Sequence, residues 1–222
     1  MHLPPACAAP TLLGDITASR SAGDYHLADG AKLVCDVEAT LQADRCHVVS
    51  VGSNGDASFE AAVHRVNPSC RIDVLDGTLV GRRAALRQQL PSFVRFWPEN
   101  FGPTTWANFS EVRRVDVLKI DCEGCELDSL TEWASRICTS QLLVEMHASP
   151  DWSDFGNASD TRAFMYADWE RRVSAYEAVG RLHQQLVSLG YVPFHGQWNP
   201  ECGRFSGVRC AELAWRRTRP CD

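Results

Sequence analysis

The most constraining feature of this sequence is the alternation of short apolar runs with helix-like segments from about residue 46 onward. The clearest run is Val115 to Ile120, which places apolar side chains on both faces, as expected for a strand buried inside a parallel sheet. The segment that follows repeats apolar residues at helical spacing, namely Leu127, Leu130, Ala134 and Ile137. Strands that alternate with helices of about 10–15 residues predict an α/β fold with a doubly wound sheet.

The same patterns predict the other elements and the division of the chain. The other predicted strands are His47–Val51, Arg71–Leu75, Phe93–Trp97, Gln141–Met146, Tyr191–Phe194 and Val208–Trp215. The other predicted helices lie at Ala57–Val66, at Arg82–Gln89 and between about Thr161 and Leu189. Residues 1–30, rich in Pro, Ala, Gly and Ser, are expected to form an N-terminal arm or cap, and residues 31–222 the folded domain.

Composition and charge limit the partners of the chain. The 222 residues carry a formal net charge of -6, so there is no global basic field of the kind that binds nucleic acid. No uninterrupted apolar run approaches the roughly 20 residues that span a bilayer, and we expect no transmembrane segment. No sequence pattern indicates an oligomeric state.

Ten cysteines are many for a chain of this length, and their even number permits complete pairing. The triplets Asn108-Phe109-Ser110 and Asn157-Ala158-Ser159 fit the pattern of N-glycosylation acceptors. Residues 1–13 contain prolines and lack the apolar core of a signal peptide. Together these features favour the secretory route or a membrane-associated precursor over the cytoplasm, and they leave the compartment open.

Doubly wound sheets bind ligands at the carboxyl ends of their strands, so residues that follow predicted strands are the first candidates for a site. Gly52-Ser53-Asn54-Gly55 follows one strand, and its glycines allow a sharp turn and close approach of a ligand to the backbone. Asp76, about 20 residues further on, is placed to accept hydrogen bonds from both hydroxyls of a ribose. Ser58 replaces the third glycine of dinucleotide-binding folds, which disfavours a nicotinamide oxidoreductase.

Acidic residues and two cysteines follow the strand at 115–120, and two interpretations of them stay open. In the first, Cys122 and Cys125 form a Cys-x-x-Cys redox pair at a strand-to-helix junction. In the second, the chemical residues are Asp121, Glu123 and Glu126, and the cysteines are small apolar fillers.

Glu145 and His147 end the next predicted strand and, being two residues apart, project to the same side. Together with Asp121 from the neighbouring strand they could hold a substrate hydroxyl or a metal ion. The oxygen ligands of Asp121 and Glu145 would suit Mg²⁺, but we predict no metal ligands. The competing interpretation is that His147 caps the strand and Glu145 pairs with an arginine.

Two segments resemble the FkbM-type and related methyltransferase-like proteins. The run Asp116–Glu126, which reads DVLKIDCEGCE, is similar to the DvlKiDvEGaE segment of that family, and Leu142–His147 is similar to its strand that ends in E-x-H. Asp29–Asp36 and Val49–Glu60 also look like segments of its eukaryotic and algal-type members. The resemblance covers roughly residues 29–215, and its most specific part is the block at 115–147.

This resemblance implies a class I fold that binds S-adenosylmethionine, with a Rossmann-like sheet of about seven strands, the last one antiparallel, flanked by helices. The residues that it implies for cofactor binding follow three of the predicted strands, those ending at Val51, Leu75 and Ile120: Gly52, Ser53, Asn54, Gly55, Asp76, Gly77 and Asp121. It also implies that the segment Asn100–Gly102 neighbours the adenine. The cysteines at 122 and 125 depart from the family's common pattern and leave a disulfide possible.

We therefore predict an enzyme, an S-adenosylmethionine-dependent methyltransferase acting on a hydroxyl of a small or carbohydrate-like acceptor. A hydroxyl must lose its proton as the new bond forms, so a base assists the reaction, and the candidates are Asp121, Glu145 and His147. The side chains expected to orient the acceptor are Glu123, Glu126 and His147. Two alternatives stay open: a thiol redox or disulfide protein using Cys122 and Cys125, and a catalytically silent nucleoside-binding protein.

Overall fold

The computed structural model describes residues 7–14, 30–42, 45–79, 84–102, 105, 109, 111–122, 124–147, 177–199, 210–219 and 221. The elements in the first half of the chain are β1 (Pro10–Leu13), β2 (Lys32–Cys35), α1 (Val37–Leu41), β3 (His47–Val51), α2 (Ser58–Val66), β4 (Arg71–Leu75), α3 (Ala84–Arg87) and β5 (Val94–Trp97). The second half contains β6 (Arg114–Ile120), α4 (Glu126–Arg136), β7 (Cys138–His147), α5 (177–188), β8 (Tyr191–Asn199) and β9 (Cys210–Arg217).

Seven strands form one sheet in the order β5-β4-β3-β6-β7-β9-β8. The strands from β5 to β7 pair in parallel, whereas β9 pairs antiparallel with both of its neighbours. The chain progresses outward in one direction from β3 and in the other from β6, so the order reverses between these two strands. The predicted doubly wound sheet of about seven strands, with the last one antiparallel, is confirmed.

The observed elements differ from the predicted ones mainly at their ends. β7 begins at Cys138 rather than 141 because its first residues pair in parallel with Arg114 and Val115 of β6. β8 continues to Asn199 rather than stopping at 194 because its antiparallel pairing with β9 extends that far. The helix predicted at 82–89 is described from Ala84 and ends at Arg87. Of the long helix predicted at 161–189, residues 177–188 are helical, while residues 161–176 lie outside the described ranges, as does Val208.

An antiparallel pair of strands that we did not predict, β1 with β2, lies beside the main sheet. Gln141 of β7 fixes β2 in place, because its buried amide accepts a hydrogen bond from the N–H of Cys35 at 2.8 Å and donates one to the carbonyl of Cys35 at 2.7 Å. A disulfide also joins Cys35 to Cys7. The described part of residues 1–30 is thus tied to the sheet, and the domain boundary at residue 30 stays a prediction.

Apolar side chains cover both faces of the sheet, which explains why β3 and β6 are apolar on both sides. One face packs against α4 and α5 through Trp133 and Leu186. The other packs against α2 and the β1–β2 pair through Phe59 and Val34. The described helices are short or amphipathic, and none of them is long and apolar enough to cross a membrane.

The attachment of β2 can be tested by Gln141→Leu, which leaves the buried N–H of Cys35 without a partner and leaves its carbonyl with only the Thr40 hydroxyl. We expect the free energy of unfolding to fall by about 1–3 kcal/mol, which is the cost of one buried polar group left unpaired, here the Cys35 N–H. Urea unfolding followed by circular dichroism measures the change. The control Gln88→Leu, at an exposed position, should shift the value by less than about 0.5 kcal/mol. An equally small shift for Gln141→Leu would contradict the role of this side chain.

Candidate active site

Four parallel strands end in one row at the same edge of the sheet. Val51 pairs with Leu75 on one side and with Ile120 on the other, and Ile120 pairs with Val144. The residues that follow these four positions are therefore brought together: Gly52, Asp76, Asp121 and Glu145. The point where the strand order reverses lies within this row, so strand register alone assembles much of the predicted site.

The turn after β3 is built against the end of β6. Gly52 (φ 72), Asn54 (φ 47) and Gly55 (φ 86) adopt left-handed backbone conformations. A Cβ atom at Gly52 would overlap the backbone carbonyl of Asp121, and Lys119 donates from Nζ to the Gly52 carbonyl oxygen at 3.1 Å. A side chain does not fit at position 52, and its absence brings the predicted cofactor turn into contact with the backbone of Asp121.

Asp76 fastens the same turn to the end of β4. Its Oδ2 accepts hydrogen bonds from the backbone N–H groups of Ser53 (3.0 Å) and Asn54 (2.8 Å), and its Oδ1 accepts from the backbone N–H (2.9 Å) and hydroxyl (2.6 Å) of Thr78. Burial opposes ionisation of Asp76, but the hydrogen bonds from Thr78, Ser53 and Asn54 outweigh it and hold the pKa below its usual range. Its contact with a ribose stays a prediction.

The segment predicted to neighbour the adenine reaches the end of β4. A Cβ atom at Gly77 would overlap the side-chain amide of Asn100, so glycine at 77 permits this close approach. The hydroxyl of Thr105 donates to the Asn100 carbonyl at 2.6 Å and accepts from the Gly102 N–H at 3.0 Å. These contacts hold the described segment 100–102 beside Asp76 and Gly77.

Side chains from β6, α4 and β7 meet on the other side of the turn. His147 lies with Nδ1 3.0 Å from Oε1 of Glu126 and with Nε2 4.0 Å from Oδ1 of Asp121. Glu126 is fully buried and also accepts hydrogen bonds from the backbone N–H groups of Cys122 (3.1 Å) and Gly124 (2.9 Å). Glu126, predicted to orient an acceptor, therefore braces the turn after β6 and fixes the imidazole of His147.

Two residues that the sequence analysis missed, Lys32 of β2 and Glu212 of β9, lie beside Asp121 and Glu145. We call Asp121, Glu145 and Glu212 the acidic cluster. Nζ of Lys32 lies 2.7 Å from Oε1 of Glu212, 3.4 Å from Oε2 of Glu145 and 3.8 Å from Oδ2 of Asp121. Lys32 is separated from Glu145 by 113 residues and from Glu212 by 180. The only local signal was a lysine placed within an apolar run, which is weak evidence for a buried charge.

The cluster combines a stable cation with a carboxyl that titrates near neutrality. Burial raises the pKa of Asp121 to about 7, with the Lys32 ammonium opposing the rise and the Glu145 carboxylate adding to it. Burial also raises the pKa of Glu145. Burial favours the neutral form of Lys32, but the carboxylates of Glu212, Asp121 and Glu145 hold its pKa well above the ordinary value.

The cysteines after β6 are joined to each other. Cys122 and Cys125 form a disulfide at the position where the redox interpretation placed it. This bridge is one of several, since Cys46 is joined to Cys70 and Cys138 to Cys221. Oxidised cysteines therefore do not single out the 122–125 turn as a redox site. Glu123, between these two cysteines, lies outside the described residues, and its contact with an acceptor stays a prediction.

Within the described ranges, the side chains that could bind a metal ion are already engaged in other interactions. The two groups whose donor atoms converge are Cys7 with Cys35 and Asp36, and Glu145 with His147 and Cys210. The cysteines of both groups are disulfide-bonded and cannot supply a thiolate. Glu145 of the second group also contacts the Lys32 ammonium.

Solved structures are similar to this chain at low sequence identity. An O-methyltransferase family protein from Burkholderia thailandensis is 15% identical with a TM-score of 0.44, and the match covers 83% of this chain and 56% of that one. This chain thus spans about half the length of that protein. The 1,6-didemethyltoxoflavin-N1-methyltransferase of Burkholderia thailandensis is 15% identical with a TM-score of 0.45, covering 82% and 77%. The Methanococcus jannaschii fibrillarin pre-rRNA processing protein is 10% identical with a TM-score of 0.46, covering 78% and 68%. At these TM-scores we draw no functional conclusion.

Sequence comparison gives a family. A search of curated protein sequences finds no match. The profile of a family described as a methyltransferase domain matches residues 15–91 and 104–192, which is more than half of the chain and includes Lys32, the glycine turn, Asp76, Asp121 and His147. The FkbM-type subfamily suggested by the resemblance stays a prediction. This chain belongs to the methyltransferase-domain family.

Proposed function

We propose that this methyltransferase transfers the methyl group of S-adenosylmethionine to a hydroxyl of a small or carbohydrate-like acceptor. The observation that carries the proposal is the position of Asp121. It follows β6 where the strand order reverses, its backbone contacts Gly52 of the glycine turn, and its carboxyl has a pKa of about 7. A base of this strength beside a predicted cofactor turn suits the deprotonation of a hydroxyl acceptor.

In this proposal the cofactor lies against the turn after β3, on the side of Asp121 that faces Gly52. The residues that would hold it are Gly52, Ser53, Asn54, Gly55, Asp76 and Gly77. The turn is closed against β6, carries no side chain at its point of closest approach, and leads into the N-terminus of α2, features that favour a nucleoside with a polar tail. When bound, S-adenosylmethionine supplies a methyl group activated by a sulfonium.

Asp121 is the proposed general base. Above a pH of about 7 its carboxyl is ionised and can accept the acceptor's hydroxyl proton as the carbon–oxygen bond forms. His147 points Nε2 toward Asp121 while Nδ1 faces the Glu126 carboxylate, which favours the tautomer with the proton on Nδ1. We assign His147 to orienting Asp121 and the acceptor. Glu145 is paired with the Lys32 ammonium, and its carboxylate contributes to the raised pKa of Asp121.

The proposed acceptor is a hydroxyl compound because of the chemistry of the base. As a neutral alcohol accepts the methyl group, its oxygen must give up the hydroxyl proton to a base, and the sulfonium leaves as a neutral thioether. The reactivity of such an acceptor therefore depends on a nearby carboxylate. The polar groups around Asp121 suit a small molecule or a glycan that presents several hydroxyls. The net charge of -6 gives no support to a nucleic-acid acceptor.

We propose an oxidising compartment on the secretory route for this chain. Nine cysteines of the described residues are disulfide-bonded: Cys7, Cys35, Cys46, Cys70, Cys122, Cys125, Cys138, Cys210 and Cys221. Disulfides of this number persist in secreted proteins and in the lumen of the endoplasmic reticulum, and they are rare in the cytosol. This observation supports the compartment favoured from the cysteine count.

The cofactor assignment can be tested by Asp76→Asn, which removes an acceptor oxygen from the glycine turn. We expect at least about a tenfold weaker affinity for S-adenosylmethionine, because hydrogen bonds to a charged group contribute about 1.5–3 kcal/mol each. Isothermal titration calorimetry measures the affinity, with Glu38→Gln, exposed on α1, as the control. Unaltered affinity in Asp76→Asn would contradict the assignment. Cofactor binding by the wild type without transfer to any hydroxyl compound would favour the silent alternative.

The base can be tested by the pH dependence of methyl transfer. We expect kcat to rise through an ionisation near pH 7, because Asp121 accepts a proton only when ionised. Asp121→Asn should lower kcat by about 100-fold or more and abolish this ionisation. The control Glu132→Gln, on the exposed side of α4, should keep the wild-type profile. A wild-type ionisation that persists in Asp121→Asn would assign the base elsewhere.

The raised pKa of Asp121 also predicts that ionisation of this group, which should increase kcat, lowers the stability of the fold. The folded protein keeps a proton on Asp121 between pH about 4 and about 7, where the unfolded chain has released it, so this group destabilises the fold as pH rises through that window. Asp121→Asn should therefore be more stable than the wild type at pH 8, by on the order of 2–4 kcal/mol, and less different at pH 4. Equal stability differences at both pH values would contradict the raised pKa.

The compartment can be tested by titrating thiols in protein purified without reductant and then denatured. Since nine of the ten cysteines are bonded, we expect at most one reactive thiol per chain. Reduction of the denatured chain should expose all 10 cysteines and serves as the control. Several reactive thiols in the unreduced sample would contradict an oxidising compartment.

A further inference from the structure

The ends of three strands direct carboxylates at a single ammonium group. Asp121 follows β6, Glu145 lies in β7, Glu212 lies in β9, and each has one oxygen within 4 Å of Nζ of Lys32. The Lys32 side chain is only 1% exposed, and those of Glu145 and Glu212 are 3% and 7% exposed. The ammonium therefore lies at the centre of a buried anionic cluster and is shielded from water.

A cation at this centre is required by the charges around it. Three ionised carboxylates brought together in a buried site repel one another, and the loss of hydration costs several kcal/mol for each ion. Glu145 and Glu212 are paired across β7 and β9, so the sheet itself forces them to be neighbours. A cation between the carboxylates compensates for this arrangement, whether it is the singly charged ammonium of a lysine or a divalent metal ion.

The donor atoms are carboxylate oxygens, which hard divalent cations prefer, but with Lys32 between them the oxygens of the three acids do not converge as closely as metal ligands do. Mg²⁺ and Mn²⁺ prefer carboxylate oxygens, and Mg²⁺ sites commonly use one or two carboxylates at about 2.0–2.1 Å. In this chain Nζ of Lys32 lies 2.7 Å from a carboxylate oxygen of Glu212 and 3.4 Å from one of Glu145. These are hydrogen-bond distances for an ammonium donor, and the Lys32 side chain takes up the space between the oxygens.

The three contacts are unequal, and the inequality suits the proposed base. Lys32 donates hydrogen bonds to Glu212 and Glu145, whereas Asp121 lies at 3.8 Å, which is an ion pair without a hydrogen bond. Asp121 is also the most exposed of the three acids, with 16% of its side chain accessible. Lys32 thus holds two acids firmly and leaves the third able to exchange a proton.

Lys32 is delivered to the site by the N-terminal strand pair. β2 carries Lys32 at its start and Cys35 at its end, and Cys35 is fixed by the Gln141 amide and by the disulfide to Cys7. The ammonium is therefore positioned by contacts that lie outside the acidic cluster. The position of Lys32 is therefore set by the attachment of β2 as well as by its ion pairs with the acids.

We propose that Lys32 is a built-in substitute for a divalent cation: its ammonium takes the place that a cation would need between Asp121, Glu145 and Glu212, makes the methyl transfer independent of metal, and prevents these acids from closing around a metal ion. Its role as a positioning residue for Asp121 rests on the proposed function. The exclusion of metal from the acidic cluster does not, because it follows from the charges and distances alone.

The experiment measures Mn²⁺ binding by isothermal titration calorimetry in the absence of any methyl donor. The wild type should bind Mn²⁺ weakly, whereas Lys32→Met, whose unbranched side chain lacks the ammonium group and is one atom shorter, should bind at least about tenfold more tightly. Lys32→Arg keeps a cation and should behave like the wild type. Lys119→Met removes another buried lysine, one that donates to the Gly52 carbonyl, and should gain no Mn²⁺ affinity.

Two results would overturn the proposal. One is a folded Lys32→Met variant that binds Mn²⁺ no better than the wild type. The other is a wild type that binds Mn²⁺ tightly and loses this binding in Glu212→Gln, and this arm remains informative if Lys32→Met fails to fold. Methyl transfer by the wild type should also be unchanged by EDTA. If no methyl transfer is found at all, the proposed function fails while the Mn²⁺ titrations still decide the role of Lys32.

Discussion

The ion pairing of Lys32 is the interaction on which the edge of this sheet depends. Strand register brings Asp121, Glu145 and Glu212 together, and buried carboxylates at this separation are unfavourable without a cation between them. The cation comes from β2, which is not a member of the seven-stranded sheet. The N-terminal strand pair is therefore part of the site, and its attachment through Gln141 and the Cys7–Cys35 disulfide bears on the chemistry as well as on the fold.

The two halves of the site are joined at one point of backbone contact. Gly52 touches the carbonyl of Asp121, so the turn that would hold the cofactor and the strand that carries the base cannot move independently. Asp76 fastens the turn from the β4 side, and Lys119 fastens it from the β6 side. Positioning of this kind is what methyl transfer requires, because the reaction is a direct displacement whose rate depends on alignment.

Much of this arrangement could be predicted from the sequence, because it depends on local patterns and strand register. The apolar runs of β3 and β6 identified the centre of the sheet, and the rule that ligands bind at carboxyl strand ends identified Asp76, Asp121 and Glu145. The rest depends on contacts between distant segments. Lys32 and Glu212 meet across 180 residues, and each by itself resembles an ordinary surface charge. Glu126 could be assigned to substrate binding only because its burial and its bonds to the turn were not visible in the sequence.

The most direct test of the central claim is a crystal structure of the chain with S-adenosylhomocysteine. We predict that the adenosine lies against the turn at 52–55 and beside Asp76, that the sulfur faces Asp121, and that the Lys32 ammonium lies between Asp121, Glu145 and Glu212. A ligand bound at a different edge of the sheet, or a Lys32 side chain directed away from the three carboxylates, would contradict it.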